Sequence, residues 1–399
     1  VRSFFLYFKK PYTIDLHKIM HMFKKLSQHF LLRKYLKDSP YLPQGDRQKV
    51  FVGLSGGVDS SVSAAILQYL GYDVEGVFIK VWQPDWMACS WKEDKRDAMR
   101  VAADLGIPFH FLDLSKEYKD NVVDYMIDEY KKGRTPNPDV MCNRSVKFGG
   151  FYDWVKEQSP EALIATGHYA SRYFDDKREE QVMACGIDQN KDQTYFLWQL
   201  RKEQLSSVIF PLGHIPKNDT RKLAEYFNLH NKDRKDSQGL CFIGHVDMED
   251  FLGHFMKLKK GNVLSTEGKK IGTHRGSEIY TLGQRGGIEF FDQTEDKKAL
   301  YVVAKDIKKN ELTVSEGRDF FTEKSDIIIL ENCNWRHKLP EMCVAHIRYH
   351  GKSLPCEIIK ESPEKTRIKI GVDDDSITPG QSVVLYQNDV CLGGGVVAG

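Results

Sequence analysis

The sequence predicts an α/β protein in which a doubly wound parallel sheet comes first and a small antiparallel β-barrel comes last. Three observations carry that reading. From residue 46 onward, apolar strand-like runs alternate with stretches of helical spacing, the pattern of parallel strands joined by helical crossovers. The first of these strands breaks into a glycine-rich turn that opens a helix, and open parallel sheets bind ligands at that carboxyl edge. Beyond residue 319 the pattern changes to short alternating runs punctuated by Gly and Pro, as in antiparallel barrels.

Taken in order, strands are expected at 50–54, 74–80, 109–114 and 162–166, and helices at 60–69, 95–105, 118–131 and 150–157. A linker-like stretch at 210–217 holds Pro211, Gly213 and Pro216; a helix at 218–226 and a polar, glycine-rich region to about 318 follow. Barrel strands are expected at 326–330, 343–349, 356–360, 366–372 and 382–386, with Cys391 in a further one. The chain thus divides into segments 1–45, 46–214, 215–318 and 319–399.

At 399 residues the chain holds two or three cores. Its 41% hydrophobic and 29% charged residues are ordinary for a soluble protein. A net charge of +2 neither announces nor excludes a nucleic-acid partner, since local basic patches suffice. No run approaches the ~18 apolar residues of a membrane span, so no membrane partner is expected. The eight cysteines are scattered without a Cys-x-x-Cys pair, which argues against a zinc ribbon and a disulfide scaffold. The first segment differs: residues 16–37 carry six Lys or Arg and no acid, with Leu16, Ile19, Phe23, Leu26 and Phe30 at helical spacing. That is the composition of a mitochondrial presequence, and import into the matrix is expected, the alternative being a surface helix of the folded protein. The chain begins with Val1, so Met20 or Met22 is a more natural start.

The glycine turn reads Gly53, Leu54, Ser55, Gly56, Gly57, Val58, Asp59, Ser60. Backbone N–H groups at a helix N-terminus suit a phosphate, and Asp59 can hold a magnesium ion against it. No Gly-Lys-Ser/Thr follows, so this is not the Walker pattern; the string resembles the pyrophosphate loop of ATP pyrophosphatases, which form adenylates from ATP. A second segment, 134–148, contains Pro136-Asn137-Pro138-Asp139 and, three residues on, Cys142. The two prolines are expected to keep helix out of it, and a carboxylate beside a thiolate is a plausible catalytic pair, with Asp139 as general acid or base. Arg144 and Lys147 would favour the Cys142 thiolate if they sit beside it near a helix N-terminus. Cys241, in 236–244, reads equally well as structural or reactive. An adenylating loop with two separated reactive cysteines suggests sulfur insertion: an oxygen activated by ATP, then displaced by a persulfide. The other six cysteines are expected to be structural.

Together these segments resemble the tRNA-specific 2-thiouridylase family, and most closely its mitochondrial member. The resemblance spans 49–398. It rests on the glycine turn, on Thr135–Asn143, on Ala165-Thr166-Gly167-His168-Tyr169, and on Lys191-Asp192-Gln193-Thr194-Tyr195-Phe196. It rests also on 236–244, Thr281-Leu282-Gly283-Gln284-Arg285, Thr378-Pro379-Gly380-Gln381-Ser382 and Cys391-Leu392-Gly393-Gly394-Gly395. It implies a doubly wound ATPase domain, a central adaptor domain and a C-terminal barrel. It further implies that residues 53–60 hold ATP, with Ile79 and Gly167 at the adenosine; Ile79 stands where the family often has methionine. Asn137, Pro138 and Asp139 would surround the target base. Cys142 would be nucleophile or resolving thiol, and Cys241 would carry the persulfide. His168, Lys191, Asp192, Gln193, Arg348, Tyr349 and Gln381 would contact tRNA. Residues 286–291 depart from the bacterial pattern.

The expected reaction adenylates the C2 oxygen of the wobble uridine in the tRNA anticodon loop and delivers sulfur from Cys241, loaded by a sulfur carrier or a cysteine desulfurase. Cys142 then resolves the persulfide or releases sulfide. Aromatic and basic groups such as Tyr169 and Arg348 would stack on or clamp the single-stranded loop. An iron–sulfur cluster on Asp139, Cys142 and Cys241 is the less favoured route, because no third cysteine lies nearby. A small-molecule adenylating ligase or amidotransferase would share only the glycine loop. A silent tRNA-binding protein would tolerate loss of Asp59 and Cys142.

Overall fold

The computed structural model describes residues 31–37, 42–87, 91–235, 247–291, 299–316, 327–362, 365–371 and 377–399. The first core is built on strands β1 (Lys49–Gly53), β2 (Asp73–Lys80), β3 (Phe109–Asp113) and β4 (Leu163–Ala165). The hairpin β5 (Ala170–Asp175) and β6 (Glu180–Cys185) follows, and then β7 (Val208–Ile209). The sheet order is β3-β2-β1-β4-β7, all parallel, as the strand–helix alternation predicts. Side chains of β1 point alternately to its two faces. Val50 and Val52 join Val62, Ile66 and Val101 of the helices Val58–Tyr69 and Trp91–Leu105. Phe51 joins Tyr118, Val122, Val146 and Phe151 on the other side. Helices on both faces let the strands be apolar throughout.

Two helical expectations change. The helix expected at 150–157 is the end of a longer run. It starts as Pro138–Cys142, widens into a π-type stretch over Asn143–Gly150 and returns to α over Phe151–Gln158. Helix is therefore not kept out by the prolines: Pro138 occupies the first helical position, where its missing N–H costs nothing. Pro136 lies ahead of the helix.

A central sheet, β10-β9-β8-β12-β11 in spatial order, is made by β8 (Gly261–Ser265), β9 (Lys270–His274), β10 (Glu289–Phe290), β11 (Tyr301–Asp306) and β12 (Glu311–Ser315). The helix Met248–Gly253 ahead of it buries Phe251 and Leu252 against the second face of the first sheet, each contributing about 2 kcal/mol of apolar burial.

The last strands are β13 (Ile327–Trp335), β14 (Met342–His346), β15 (Leu354–Lys360), β16 (Lys365–Ile370), β17 (Ser382–Gln387) and β18 (Val390–Val397). They run antiparallel in the order β13-β16-β15-β14-β17-β18, and β18 pairs back on β13 to close the barrel. The hairpin β5–β6 extends this sheet through Val390 opposite Ala184, with Cys185 N–H donating to Asp389 O at 2.8 Å. Cys185, Cys333, Cys343, Cys356 and Cys391 all lie on strands of this one sheet, and Cys89 lies outside the described residues.

Of the leader-like stretch, Leu31, Leu32, Tyr35 and Leu36 are buried in the first core. The Tyr35 hydroxyl donates to Asp219 at 2.8 Å and the Tyr35 carbonyl is 3.1 Å from His214 Nε2. That part of its apolar face is thus covered from within the fold. No helix among the described residues is long and apolar enough to cross a membrane.

Candidate functional site

The glycine loop leaves β1 at Gly53 and enters the helix Val58–Tyr69 with Gly57 as its N-cap. Gly56 sits at φ +77°, and a Cβ there would lie 2.7 Å from Asp94 O. The turn closes on itself through long hydrogen bonds. Ser55 N–H donates to Ser60 Oγ at 3.2 Å and Gly57 N–H to Ser55 Oγ at 3.3 Å. From outside, Asn231 Nδ2 donates to Gly56 O at 2.7 Å and Ser61 Oγ at 2.9 Å. Arg234 Nη1 reaches Gly56 O at 3.3 Å while pairing with Asp97 at 2.7 Å and with Asp94. Gly167 lies against the first helical turn, where a Cβ would come within 2.7 Å of Ser60 N and 2.9 Å of Asp59 C. Ile79 is buried beside Gly53. A glycine cradle at a helix N-terminus, with no room for a side chain at Gly56 or Gly167, suits a nucleotide phosphate.

Asp59 is expected to face magnesium; in this structure it faces a lysine. Lys217 Nζ, buried, contacts both carboxylate oxygens at 2.7 and 2.8 Å. The Tyr169 hydroxyl donates to Asp59 Oδ1 at 3.1 Å and lies 3.1 Å from Thr220 Oγ1. Among the described residues no group of three or more His, Cys, Asp or Glu is placed to hold a metal ion.

The segment carrying Asn137, Pro138, Asp139 and Cys142 is anchored from three sides. Asn137 caps its helix, accepting from Val140 N–H at 3.2 Å, and its side chain also bonds Tyr195. Ahead of it, Arg134 pairs with Glu129 at 2.8 Å and with Glu331 of β13 at 2.6 Å, and donates to Val397 O at 3.2 Å. Thr135 N–H donates to Pro379 O at 2.9 Å, and Thr135 Oγ1 is 3.2 Å from Thr281 Oγ1 of the central part. Asp139 is half-buried at the helix start. Cys142 is fully buried in the cluster of Tyr118, Val122, Val146 and Phe151, while Arg144 is exposed. Lys147 is turned to His168, its Nζ 3.3 Å from Nε2.

His168 ties the two halves together. An ammonium only donates, so Nε2 accepts and Nδ1 carries the proton toward Thr166 Oγ1 at 2.7 Å. Burial, reinforced by the Lys147 charge, holds the imidazole well below its usual pKa and therefore neutral. Gly167, the preceding residue, is the one against Ser60.

The residues matched to tRNA contacts lie in unlike settings. Lys191 is half-buried in a turn, its N–H on Asp188 O at 2.8 Å. Asp192 accepts from Gly186 N–H at 2.8 Å and Thr194 Oγ1 at 2.6 Å, and burial pushes its carboxyl up. Gln193 Oε1 accepts from Tyr169 N–H at 3.0 Å. Tyr349 is exposed, its ring 4.4 Å from that of Phe196. Half-buried Arg348 reaches Leu282 O at 3.5 Å, and Gln381 is half-buried after Gly380. Cys241 lies outside the described residues. Sequence reasoning missed Lys217, Asn231, Arg234 and the anchors Arg134 and Thr135.

A parallel sheet with a glycine cradle at its carboxyl edge defines a nucleotide-binding α/β protein, and the comparisons with known proteins narrow this. Residues 48–245 match the tRNA methyl transferase HUP domain, 249–316 the tRNA methyl transferase PRC-barrel domain and 325–397 the aminomethyltransferase beta-barrel domain. A relative from Vibrio vulnificus (strain YJ016), described as tRNA-specific 2-thiouridylase MnmA, is 40% identical over 365 residues, covering 89% of this chain and 98% of its own. Relatives of the same description from Photobacterium profundum (41% over 367 residues; 89% and 97%) and Idiomarina loihiensis (41% over 357; 88% and 96%) agree. The chain belongs to the tRNA-specific 2-thiouridylase family.

Proposed function

We propose that this protein is an ATP-dependent tRNA 2-thiouridylase acting on the wobble uridine, and that it works in the mitochondrial matrix. ATP rests on residues 53–60 with its adenosine toward Ile79 and Gly167, and the flipped uridine meets Asn137, Pro138 and Asp139. The C2 oxygen attacks the α-phosphate and pyrophosphate leaves, so that AMP becomes the later leaving group. The terminal sulfur of a Cys241 persulfide attacks C2 and AMP departs. Cys142 then attacks the Cys241 sulfur, breaking the S–S bond to free the 2-thio base and leaving a Cys142–Cys241 disulfide that a thiol reductant resets. Asp139 moves the proton. A magnesium ion bound with ATP would neutralise phosphate charge, and Asp59 would hold it only on leaving the Lys217 ammonium that both its oxygens contact here. A sulfur carrier or desulfurase loads Cys241. The matrix location is supported by the basic stretch 16–37, and cleavage would have to stop short of Leu31, which belongs to the core.

The observation that carries this reading is the join at 167–168. Gly167 abuts the phosphate loop, while His168 is bonded to the helix that bears Asp139 and Cys142. The test is reconstitution of the full chain with ATP, a tRNA bearing a wobble uridine and a persulfide donor, read by nucleoside mass spectrometry. 2-Thiouridine formed by the unchanged protein and absent with Cys241→Ser is the expected result. Thiolation by Cys241→Ser would remove the relay, and iron copurifying anaerobically in stoichiometric amount would favour the cluster route. Pyrophosphate release indifferent to tRNA would favour a small-molecule ligase.

A further inference from the structure

The cysteines of the barrel sheet differ in what their sulfurs touch. Cys185 Sγ lies 3.6 Å from Thr194 Oγ1, Cys333 bonds Thr366, and Cys391 Sγ accepts from Arg336 at 3.0 Å. Cys343 and Cys356 bond each other. They sit directly opposite on β14 and β15, both as free thiols in the barrel core. Opposed residues of an antiparallel pair hold their Cα atoms about 4.5–5.5 Å apart, inside the range of roughly 4.4–6.8 Å that a disulfide spans.

What this pair can move is the end of its hairpin. Between β14 and β15 the chain turns through residues 347–353, which carry Arg348 and Tyr349. Beside the turn the strands are tied by the pairing of Ala345 with Leu354, and His346 Nε2 lies 2.9 Å from Ser353 Oγ. On their other sides β14 is laddered to β17 and β15 to β16, so a change of spacing at Cys343 is taken up at the turn. There the Tyr349 ring packs 4.4 Å from that of Phe196, and Arg348 reaches Leu282 O at 3.5 Å.

We propose that Cys343 and Cys356 are an oxidisable dithiol outside the reaction centre, and that closing it to a cross-strand disulfide draws the 347–353 turn out of its tRNA-binding form. This rests on the thiouridylase reading given above, which puts Arg348 and Tyr349 on the tRNA. Opposed Cβ atoms stand about 4.5–5.5 Å apart, and a disulfide draws them to about 3.8 Å. The oxidant is hydrogen peroxide. Cys343, which keeps 9% exposure where Cys356 is fully buried, attacks a peroxide oxygen; the O–O bond breaks, leaving a Cys343 sulfenic acid and one water. Cys356 then attacks the Cys343 sulfur, the S–O bond breaks and a second water leaves. Two thiols and one peroxide thus give one disulfide and two waters. The hydrogen bond from Cys356 pulls the Cys343 thiol below its usual pKa, which favours the attacking thiolate. A dithiol reductant reverses the step by exchange. In a reducing compartment such a pair rests open and its disulfide is transient.

The test uses the full chain carrying Cys142→Ser and Cys241→Ser, so that the proposed relay thiols cannot report. It is treated with hydrogen peroxide, alkylated and mapped by peptide mass spectrometry. Affinities for ATP and for a tRNA with a wobble uridine are measured before oxidation, after it, and after dithiothreitol. Met342, exposed on the same strand, shows by its sulfoxide that peroxide has reached the site. A 343–356 linkage is expected, with tRNA binding weakened about threefold or more, ATP binding unchanged, and linkage and loss both reversed by dithiothreitol. Adding Cys343→Ala or Cys356→Ala is expected to keep tRNA binding intact in peroxide; should either fail to fold, reversal by dithiothreitol decides in its place, because the sulfoxide survives that reductant. Both thiols still open to alkylation once Met342 is oxidised, or a 343–356 disulfide with unchanged tRNA affinity, would overturn the proposal. If the reduced protein binds no tRNA, the thiouridylase reading falls and the effect on the turn with it, while the peptide map still decides the disulfide.

Discussion

The glycine loop takes its partners from the first sheet and its crossovers (Asp94, Asp97, Gly167) and from the segment that follows the sheet's last strand (Lys217, Asn231, Arg234). The segment around Asn137 takes them from the whole chain: Glu129 from the first part, Thr281 from the central part, Glu331, Pro379 and Val397 from the barrel. The half proposed to hold the nucleotide is thus complete within one domain-sized unit, whereas the half proposed to meet the base is held in place by all three parts. ATP binding and base recognition should then be separable by mutation, and damage to the domain junction should reach only the second.

The largest effect is expected from Gly167→Ala. Its Cβ would press on the backbone at Ser60 and Asp59, which cannot give way cheaply. The backbone of the loop must shift to make room, and a loss of ATP affinity of about tenfold or more is expected, measurable by titration, with thiolation lost and tRNA binding retained. Arg134→Met attacks the other half. It leaves Glu129 with Lys132 alone and removes the Arg134 partner of the partly exposed Glu331, and is expected to cost about 1 to 2 kcal/mol at the junction. Thiolation should fall more than tenfold while ATP affinity stays unchanged; a parallel loss of ATP binding would break the comparison.

Acid sharpens the comparison from another side. Burial lowers the pKa of His214, packed under Tyr35 at the rim of the nucleotide half, to about 4, against about 6.5 in the unfolded chain. The unfolded state takes up the proton first. The stabilising contribution is therefore complete above pH 6.5 and is lost as pH falls toward 4, about 2 kcal/mol by pH 5. His168 acts in the same direction. Urea unfolding between pH 7 and 5 should show that loss, and His214→Gln should flatten it. The smallest effect is expected from Asn137→Ala, which removes a helix cap worth about 1 kcal/mol. Its melting temperature should drop by a few degrees and kcat should fall with little change in the KM for ATP.

How much of this could be read from the sequence follows the same division. The loop was legible because strand, glycine turn and helix are contiguous, so local spacing alone places residues 53–60. The barrel was legible as alternating runs, but its extension by β5–β6 was not, since the pairing of Ala184 with Val390 joins distant residues that carry no local mark. Lys217, Asn231 and Arg234 were missed for the same reason: each is an ordinary polar residue until the fold brings it to Asp59 or Gly56. The helix start at Pro138 was legible in principle, because Asn followed by Pro is an N-cap followed by the first helical residue; the stiffness of proline was given too much weight. In the half proposed to meet the base, Asp139 and Cys142 stood out in the segment itself, Asn137, Pro138 and the tRNA-contact residues came from the family resemblance, and their anchors came from the structure alone.

The most direct measurement is pyrophosphate release and 2-thiouridine formation in the same reaction, by the unchanged protein, Gly167→Ala and Cys241→Ser. A single site joined through residues 167 and 168 requires tRNA-dependent pyrophosphate release with both products in the unchanged protein, neither product with Gly167→Ala, and pyrophosphate without thiouridine with Cys241→Ser. Thiouridine formed by Gly167→Ala, or pyrophosphate released equally without tRNA, would contradict it.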